Sequence, residues 1–322
     1  MDRSESDQSW MRKAIALARL SEGGPRPNPP VGAVFVKDNR LIGEGRHRVA
    51  GGPHAEVDAF NNCTESAEGA TIYVTLEPCC TTGKTPPCTD RIIREKVARV
   101  VVACTDKNAK HVGRGFDILR QAGIEVTEPV CQDEALPILR PFFKHITTGM
   151  PYLTLKLGMT LDGKIADRTH RSQWITSPAS RGVVQELRRR ADVMLVGAGT
   201  VCADNPSLLY RGEIPGGEKL LRVVIDSKGV TSPSSKIFQD AAADRTILAT
   251  SDTLSEEQAK AYTEKGAAVW RFSPDEQGHL SLRNILSRLG NDLGVLHVLC
   301  EGGGKLAGAL HDQGLVDEYA LF

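Results

Sequence analysis

Four side chains split over two short segments constrain this chain most. Gly51–Glu56 reads GGPHAE and Glu77–Cys88 reads EPCCTTGKTPPC. His54 offers an imidazole nitrogen, Cys79 and Cys88 offer thiolates, and Glu56 stands just past His54. A set of three protein ligands leaves the fourth tetrahedral position open, as in a catalytic zinc site rather than a closed structural one. Any fold that uses the set must bring a helix start at His54 and a strand–loop–helix around the cysteines to one point. His-Ala-Glu alone is an ordinary helix start, and Pro-Cys alone carries less. In this order and context they are specific. Cys80 could supply a fourth ligand, but adjacent residues point apart, so it is read as a non-ligand.

Zinc lowers the pKa of its bound water to ~7. A carboxylate beside that water can take its proton and return it to a leaving amine. The same layout, H-x-E followed by Pro-Cys and a second Cys, marks zinc nucleobase deaminases. Here eight residues, Cys80–Pro87, separate the two thiols. That loop is long enough to carry substrate contacts. Gly83 permits a tight turn, Lys84 offers a point charge for a phosphate, and Pro86-Pro87 stiffen the entry to the next helix.

The 322 residues predict two domains at ~150 residues each. A 40 % apolar and 25 % charged composition is that of a globular protein able to bury two cores. Basic and acidic side chains balance at 40 each and divide evenly between the halves, which argues against a nucleic-acid partner. No stretch reaches the ~18 apolar residues of a membrane-spanning helix. The polar, acidic N-terminus is not a secretory signal. The chain therefore reads as cytoplasmic with reduced thiols, so that its eight cysteines are not a disulfide framework. Cys104 and Cys300, inside apolar runs, read as small buried hydrophobes.

The first half alternates helix and strand patterns. Helices are predicted over Trp10–Leu20, His54–Asn62, Thr89–Lys96 and Gly115–Ala122, with a closing one over Glu134–His145 broken near Pro137 and Pro141. Strands are predicted over Val31–Val36, Leu41–Gly45, Ala70–Leu76, Arg99–Cys104 and Ile124–Thr127. Thr147–Pro151 reads as the linker, which sets domains at 1–147 and 148–322. Beyond it, strands are expected over Tyr152–Leu157, Val193–Val196, Leu221–Ile225, Thr246–Ala249, Val295–Cys300 and Val316–Phe322. Helices are expected over Ala179–Arg190, Ser255–Lys265, Leu282–Leu289 and Leu306–Gln313, and surface loops over Arg211–Lys219 and Ser232–Ala243. In the second half Glu301 and Gly302-Gly303-Gly304 form a strand-to-helix turn. Such glycines let backbone N–H groups approach a phosphate at a helix N-terminus, although the turn is not a GxGxxG fingerprint.

With PNPPVG (Pro27–Gly32), GGPHAE and TLEPCCTTGKTPPC, the first half resembles the deaminase half of the bifunctional riboflavin-biosynthesis deaminase–reductases. LKLGMTLDGKIA (Leu155–Ala166), SQWITS (Ser172–Ser177), GTVCADNP (Gly199–Pro206) and CEGGGKLAGAL (Cys300–Leu310) resemble the reductase half. The resemblance implies an α/β protein, with an N-terminal cytidine-deaminase-like α/β/α sandwich and a C-terminal dihydrofolate-reductase-like α/β domain. It implies one zinc on His54, Cys79 and Cys88, with Glu56 as proton shuttle, and Asn28 and Lys84 on the pyrimidine and the ribose phosphate. NADPH contacts carry over onto Gly158, Trp174, Thr200, Asp204, Ser227 and the segment Gly303, Gly304, Lys305, Leu306, Ala307, Gly308, Ala309. Substrate contacts carry over onto Ser172, Arg188, Leu208, Arg211 and Glu301. Arg188 and Arg211 suit a phosphate because guanidinium is a bidentate fork. Against that, Arg188 lies in an arginine run, which on a helix is usually a solvated face. Trp174 is equally open to a core-packing role.

Implied chemistry is zinc-dependent hydrolytic deamination of 2,5-diamino-6-ribosylamino-4(3H)-pyrimidinone 5′-phosphate, then NADPH-dependent reduction of the ribosyl to a ribityl chain. The implied partner is this small phosphorylated pyrimidine, with no nucleic acid and no membrane. The chain departs from the family at Cys80-Thr81, at Asp106–Ala109 and at His170-Arg171. Its reductase half is expected to lack its C-terminal end, leaving a sheet edge that invites a homo-oligomer by strand exchange. The rivals are a tRNA or cytosine deaminase with an unrelated tail, which would have two residues between the cysteines; a non-enzymatic zinc-stabilised protein, which would not need Glu56; and a deaminase whose reductase domain is impaired.

Overall fold

A computed structural model describes residues 2–82, 86–169, 172, 174–212 and 220–322. The chain divides into two compact units, the first ending at Thr148 and the second starting at Gly149.

The first unit is a mixed sheet between two helical layers. Its strands are β1 (Gly32–Lys37), β2 (Arg40–Arg46), β3 (Thr71–Leu76), β4 (Arg99–Cys104) and β5 (Glu125–Thr127), in the order β2-β1-β3-β4-β5. The β1 pairings with β2 and β3 are antiparallel, and those of β3-β4 and β4-β5 are parallel. Helix α1 (Arg3–Arg19) packs on one face together with α5 (Gln132–Thr148). Helices α2 (Ala55–Asn61) and α3 (Cys88–Arg94) occupy the other, and α4 (Arg114–Gln121) packs against α3. Glycine sets how closely α2 approaches. A Cβ at Gly45 would lie 2.1 Å from the Ala59 nitrogen and one at Gly43 2.7 Å from the Ala59 carbonyl, so only glycine fits under α2. That close seating fixes the helix N-terminus, and with it His54 and Glu56.

Two expectations change here. Helix α1 begins seven residues earlier than the periodicity predicts, because Asp7 is not a solvated acid. It is buried, it accepts two hydrogen bonds from Arg99 at 2.8 and 2.7 Å, and it accepts one from the Tyr73 hydroxyl at 2.8 Å. The pair ties the first turns of α1 to β3 and β4. Helix α5 is continuous through both prolines and extends to Thr148, so the connection to the next strand is only Gly149–Pro151. Pro137 and Pro141 are one turn apart on the outer face, where the carbonyls they leave unpaired stay near solvent. Ile138, Leu139, Phe142 and Phe143 hold the inner face in the core.

The second unit is a seven-stranded sheet, every pairing of which is parallel. Its strands are β6 (Tyr152–Leu157), β7 (Val193–Gly197), β8 (Leu221–Asp226), β9 (Thr246–Ser251), β10 (Ala268–Phe272), β11 (His297–Cys300) and β12 (Glu318–Leu321), in the order β10-β9-β8-β7-β11-β6-β12. The near-continuous apolar runs in β7, β8, β9 and β11 are those of strands covered on both faces. Leu153, Leu155, Leu195 and Val298 pack under α10 (Leu282–Leu293) and α11 (Gly304–Asp312). Helices α6 (Pro178–Arg190), α7 (Ala198–Asp204), α8 (Lys236–Gln239) and α9 (Glu256–Thr263) complete the unit.

Strand β10 and helices α7 and α8 were not anticipated. The segment expected as a surface loop over Ser232–Ala243 contains α8, whose Ile237 and Phe238 are fully buried. Its serines and aspartate hide this from a reading of polarity. Most of the other predicted loop, Glu213–Lys219, lies outside the described residues.

Candidate functional site

In the first unit, β3 runs out into Glu77–Pro87, α3 begins at Cys88, and His54 caps α2. Cys79 Sγ lies 3.5 Å and Cys88 Sγ 3.4 Å from His54 Nδ1. A tetrahedral centre with ordinary Zn–S and Zn–N lengths sets N···S edges of ~3.5 Å. The three donor atoms lie within 4.8 Å of one another, and theirs is the one such cluster among the described residues. Donor type and spacing therefore fit a zinc ion. Cys80 is outside the set, its Sγ turned to His111 Nδ1 at 3.7 Å.

Glu56, in the first turn of α2, is buried beside the ligands. Burial, reinforced by the neighbouring Cys79 charge, raises its carboxyl to about 7. A bound dication would oppose that shift. The Asn28 side-chain amide sits 3.0 Å from His47 Nε2, and His47 Nδ1 is 2.8 Å from the Pro53 carbonyl. Burial lowers the His47 pKa, which keeps the ring neutral, and the ring packs edge-on against His54. In the sequence the only signal for His47 is a polar residue just ahead of GGPHAE. Lys84 lies outside the described residues.

Glu77, also buried, accepts backbone N–H bonds from Asp106, Gly113 and Gly115 at 3.2, 3.0 and 3.0 Å. It thereby fastens the Asp106–Gly115 segment next to the cysteine loop. Asn108 in that segment is engaged locally, its side-chain oxygen accepting from the Lys110 N–H at 3.0 Å.

In the second unit a cavity of about 2030 Å³ opens at the carboxyl ends of the parallel strands. That is where open α/β sheets place ligands, and it is larger than an ordinary small-molecule site. Gly158, Trp174, Thr200, Asp204 and Ser227 line it, as do Gly303, Gly304, Lys305, Leu306 and Ala309. Ala307 and Gly308 do not; Ala307 faces the hydrophobic core. Trp174 is 69 % exposed with the Arg181 guanidinium 4.4 Å above its ring, so it is not a core residue. The Gly303 N–H donates to Thr200 Oγ1 at 2.9 Å, and a Cβ at Gly302 would lie 2.8 Å from Leu306. The turn thus presents bare backbone and a helix N-terminus to the cavity, which fits the pyrophosphate of a dinucleotide.

Ser172, Arg188, Leu208, Arg211 and Glu301 line the same cavity. Arg188 is not on a solvated face. It donates to both Glu301 oxygens at 2.7 and 3.1 Å and to the Leu209 carbonyl at 3.1 Å, whereas Arg189 and Arg190 pair with Glu186. Lys156, also unremarked in the sequence, stands at the end of β6 with Nζ 3.9 Å from Glu301. His170 and Arg171 lie outside the described residues.

These features define an α/β protein that joins a deaminase-type metal domain to a parallel-sheet domain with a large cavity at the carboxyl ends of its strands. Residues 4–104 match the cytidine and deoxycytidylate deaminase zinc-binding region, and residues 151–322 match the RibD C-terminal domain. The riboflavin biosynthesis protein RibD of Aquifex aeolicus is 41 % identical, covering 99 % of this chain and 86 % of that protein. The Escherichia coli protein of the same name is 40 % identical over 98 % and 87 %. Among solved structures, Acinetobacter baumannii RibD superposes with a TM-score of 0.85 at 37 % identity, covering 98 % of this chain and 86 % of that one. A Thermotoga maritima diaminohydroxyphosphoribosylaminopyrimidine deaminase/5-amino-6-(5-phosphoribosylamino)uracil reductase does so at 0.85 and 38 %, covering 97 % and 85 %. The chain belongs to the RibD family and is a bifunctional deaminase and reductase of riboflavin biosynthesis. No helix among the described residues is long and apolar enough to cross a membrane.

Proposed function

We propose that residues 1–147 deaminate 2,5-diamino-6-ribosylamino-4(3H)-pyrimidinone 5′-phosphate and that residues 148–322 reduce the ribosyl group of the product with NADPH. The open His54–Cys79–Cys88 set with Glu56 buried beside it carries the first half of this reading. Zinc, when bound there, would make water a competent nucleophile at neutral pH. Glu56 takes a proton from the attacking water and returns it to the departing amine, leaving a ring carbonyl and ammonia. Its burial beside the ligand atoms keeps it within reach of a water held there. Asn28, braced by neutral His47, holds the pyrimidine edge, and Lys84 takes the ribose phosphate.

NADPH would supply hydride to C1′ in the second unit. The glycine turn, the N-terminus of α11, Thr200 and Asp204 would hold the cofactor's phosphates. Asp226, at the end of β8 where a ribose-binding acid would select the unphosphorylated cofactor, is turned inward. It is buried and accepts from Val230 N–H, Thr231 N–H and the Thr231 hydroxyl at 3.0, 2.8 and 2.7 Å. Ser227 is left on the cavity wall with Lys228 beside it, which favours a 2′-phosphate. Arg211, whose guanidinium has no ion-pair partner among the described residues, offers its fork to the substrate phosphate, because the fork of Arg188 is occupied by Glu301.

Purified protein should release ammonia from the diaminopyrimidine without NADPH and form the ribityl product only with it. Fluorescence titration should find NADPH bound more tightly than NADH. Ammonia release absent from zinc-loaded protein, or equal affinity for both cofactors, would contradict the respective half.

A further inference from the structure

The largest fully buried side chain among the described residues is not apolar. It is Arg222, the second residue of β8. Its guanidinium donates to both Asp240 oxygens at 2.7 and 2.8 Å, to Thr246 Oγ1 at 2.7 Å and to the Ser207 carbonyl at 2.8 Å. The first two partners belong to the sheet and to the turn after α8. The Ser207 carbonyl belongs to the cavity wall, where Asn205–Arg211 runs as one arc.

That arc has an unfavourable backbone. Asn205 and Leu208 have φ of 43° and 56°, and Leu208 has no side-chain chemistry to ease it. Left-handed geometry at a leucine costs on the order of 1–2 kcal/mol and persists only where the surroundings enforce it. The fastenings are visible. Asn205 Oδ1 accepts the Lys236 N–H at 2.7 Å, the Ser207 carbonyl accepts Arg222, and the Arg211 N–H reaches Gln185 Oε1 at 3.3 Å. Arg188 also donates to the Leu209 carbonyl at 3.1 Å, so two charge-assisted bonds hold the arc, and of these only that of Arg222 comes from a fully buried donor.

We propose that Arg222 is a positioning residue for the reductase: from the interior strand β8 it grips the Ser207 carbonyl, holds the arc in its left-handed path and so sets where Leu208 and Arg211 meet the phosphorylated substrate. The inference rests on the reading that Arg211 and Leu208 form the substrate subsite. It makes the arc's shape, and not the arc's own sequence, the determinant of substrate affinity.

The test separates fold from position. Arg222→Met alone leaves the partly buried Asp240 carboxylate without its cation and is destabilising on that ground. The double variant Arg222→Met/Asp240→Leu removes both charges and leaves an apolar pair, which recovers folding while leaving the Ser207 carbonyl ungripped. Arg222→Lys keeps the charge but loses the fork. Both variants should raise the KM for 5-amino-6-(5-phosphoribosylamino)uracil by about tenfold or more, the size of one lost charge-assisted bond. The Kd for NADPH, read by fluorescence, should stay within about twofold, and ammonia release should be unchanged. Arg211→Ala is the control. If it raises KM while either Arg222 variant, folded by its melting temperature, keeps the wild-type KM, the positioning role is overturned. A double variant that recovers melting temperature and KM together would likewise reduce Arg222 to a structural ion pair. If Arg211→Ala leaves KM unchanged, the subsite reading itself falls.

Discussion

The two units solve the problem of placing reactive groups in opposite ways. In the first, the ligands and Glu56 come from two short segments, and the site is a tight, buried cluster with distances of 3.4 and 3.5 Å. In the second, the cavity of about 2030 Å³ is assembled from the carboxyl ends of parallel strands and the loops after them, with its lining drawn from residues 156 to 313. A small ion and one proton need a few atoms at fixed spacing. A large ligand needs a long wall, and a long wall needs many elements. Local chemistry therefore leaves dense motifs in a sequence, and extended binding leaves scattered ones.

The largest expected effect tests whether the compact site stands alone. Cys88→Ser should abolish zinc binding and ammonia release, with metal content read by atomic absorption. Reduction of supplied deaminated substrate should be unchanged, because every cavity residue lies in the other unit. Parallel loss of reduction in a folded variant would break the comparison. Next is Glu56→Gln, which preserves size and removes the proton shuttle. Deaminase turnover should fall 10²–10⁴-fold, a range typical of general acid–base loss at about constant geometry, while zinc is retained. Loss of the metal would instead make Glu56 part of the ligand set.

A smaller effect concerns pH. Glu56 is raised to about 7 by burial, above its ordinary value of 4.5. Between those values the native state binds more protons than the unfolded chain, so the stability of chelator-treated protein should fall as pH rises through that window. Glu56→Gln should lack this component. Thermal melts of both proteins after zinc removal read it as a steeper fall in Tm for the wild type; equal slopes would mean that the carboxyl is solvated. The smallest effect sharpens the boundary of the extended site. Gly308 lies within α11, outside the cavity lining, and a Cβ there meets nothing within 4 Å. Gly308→Ala should stabilise the protein by about 0.5–1 kcal/mol and leave the NADPH Kd unchanged. Weakened NADPH binding would move the cofactor further along α11 than the cavity does.

The sequence alone picked out His54, Cys79 and Cys88, whose donor atoms the fold brings together, the strand–loop–helix context that carries them, and most of the elements of both units. Each of these follows from residue chemistry at short range: ligand spacing, apolar periodicity, and glycine at a strand-to-helix turn. Tertiary structure alone decided the roles of residues whose partners are distant in the chain. Asp7 looks like a solvated acid until Arg99, from β4, buries it, and that pair extends α1 to Arg3. Ile237 and Phe238 sit among polar residues until the sheet covers them. Arg188 reads as a free phosphate fork until Glu301 fills it, and Arg222 has no sequence signal at all before Asp240 and the Ser207 carbonyl close around it. The physical reason is common to all four. The state of a charged or apolar side chain depends on desolvation and on the partner it meets, and both are set by packing between segments that no local pattern records.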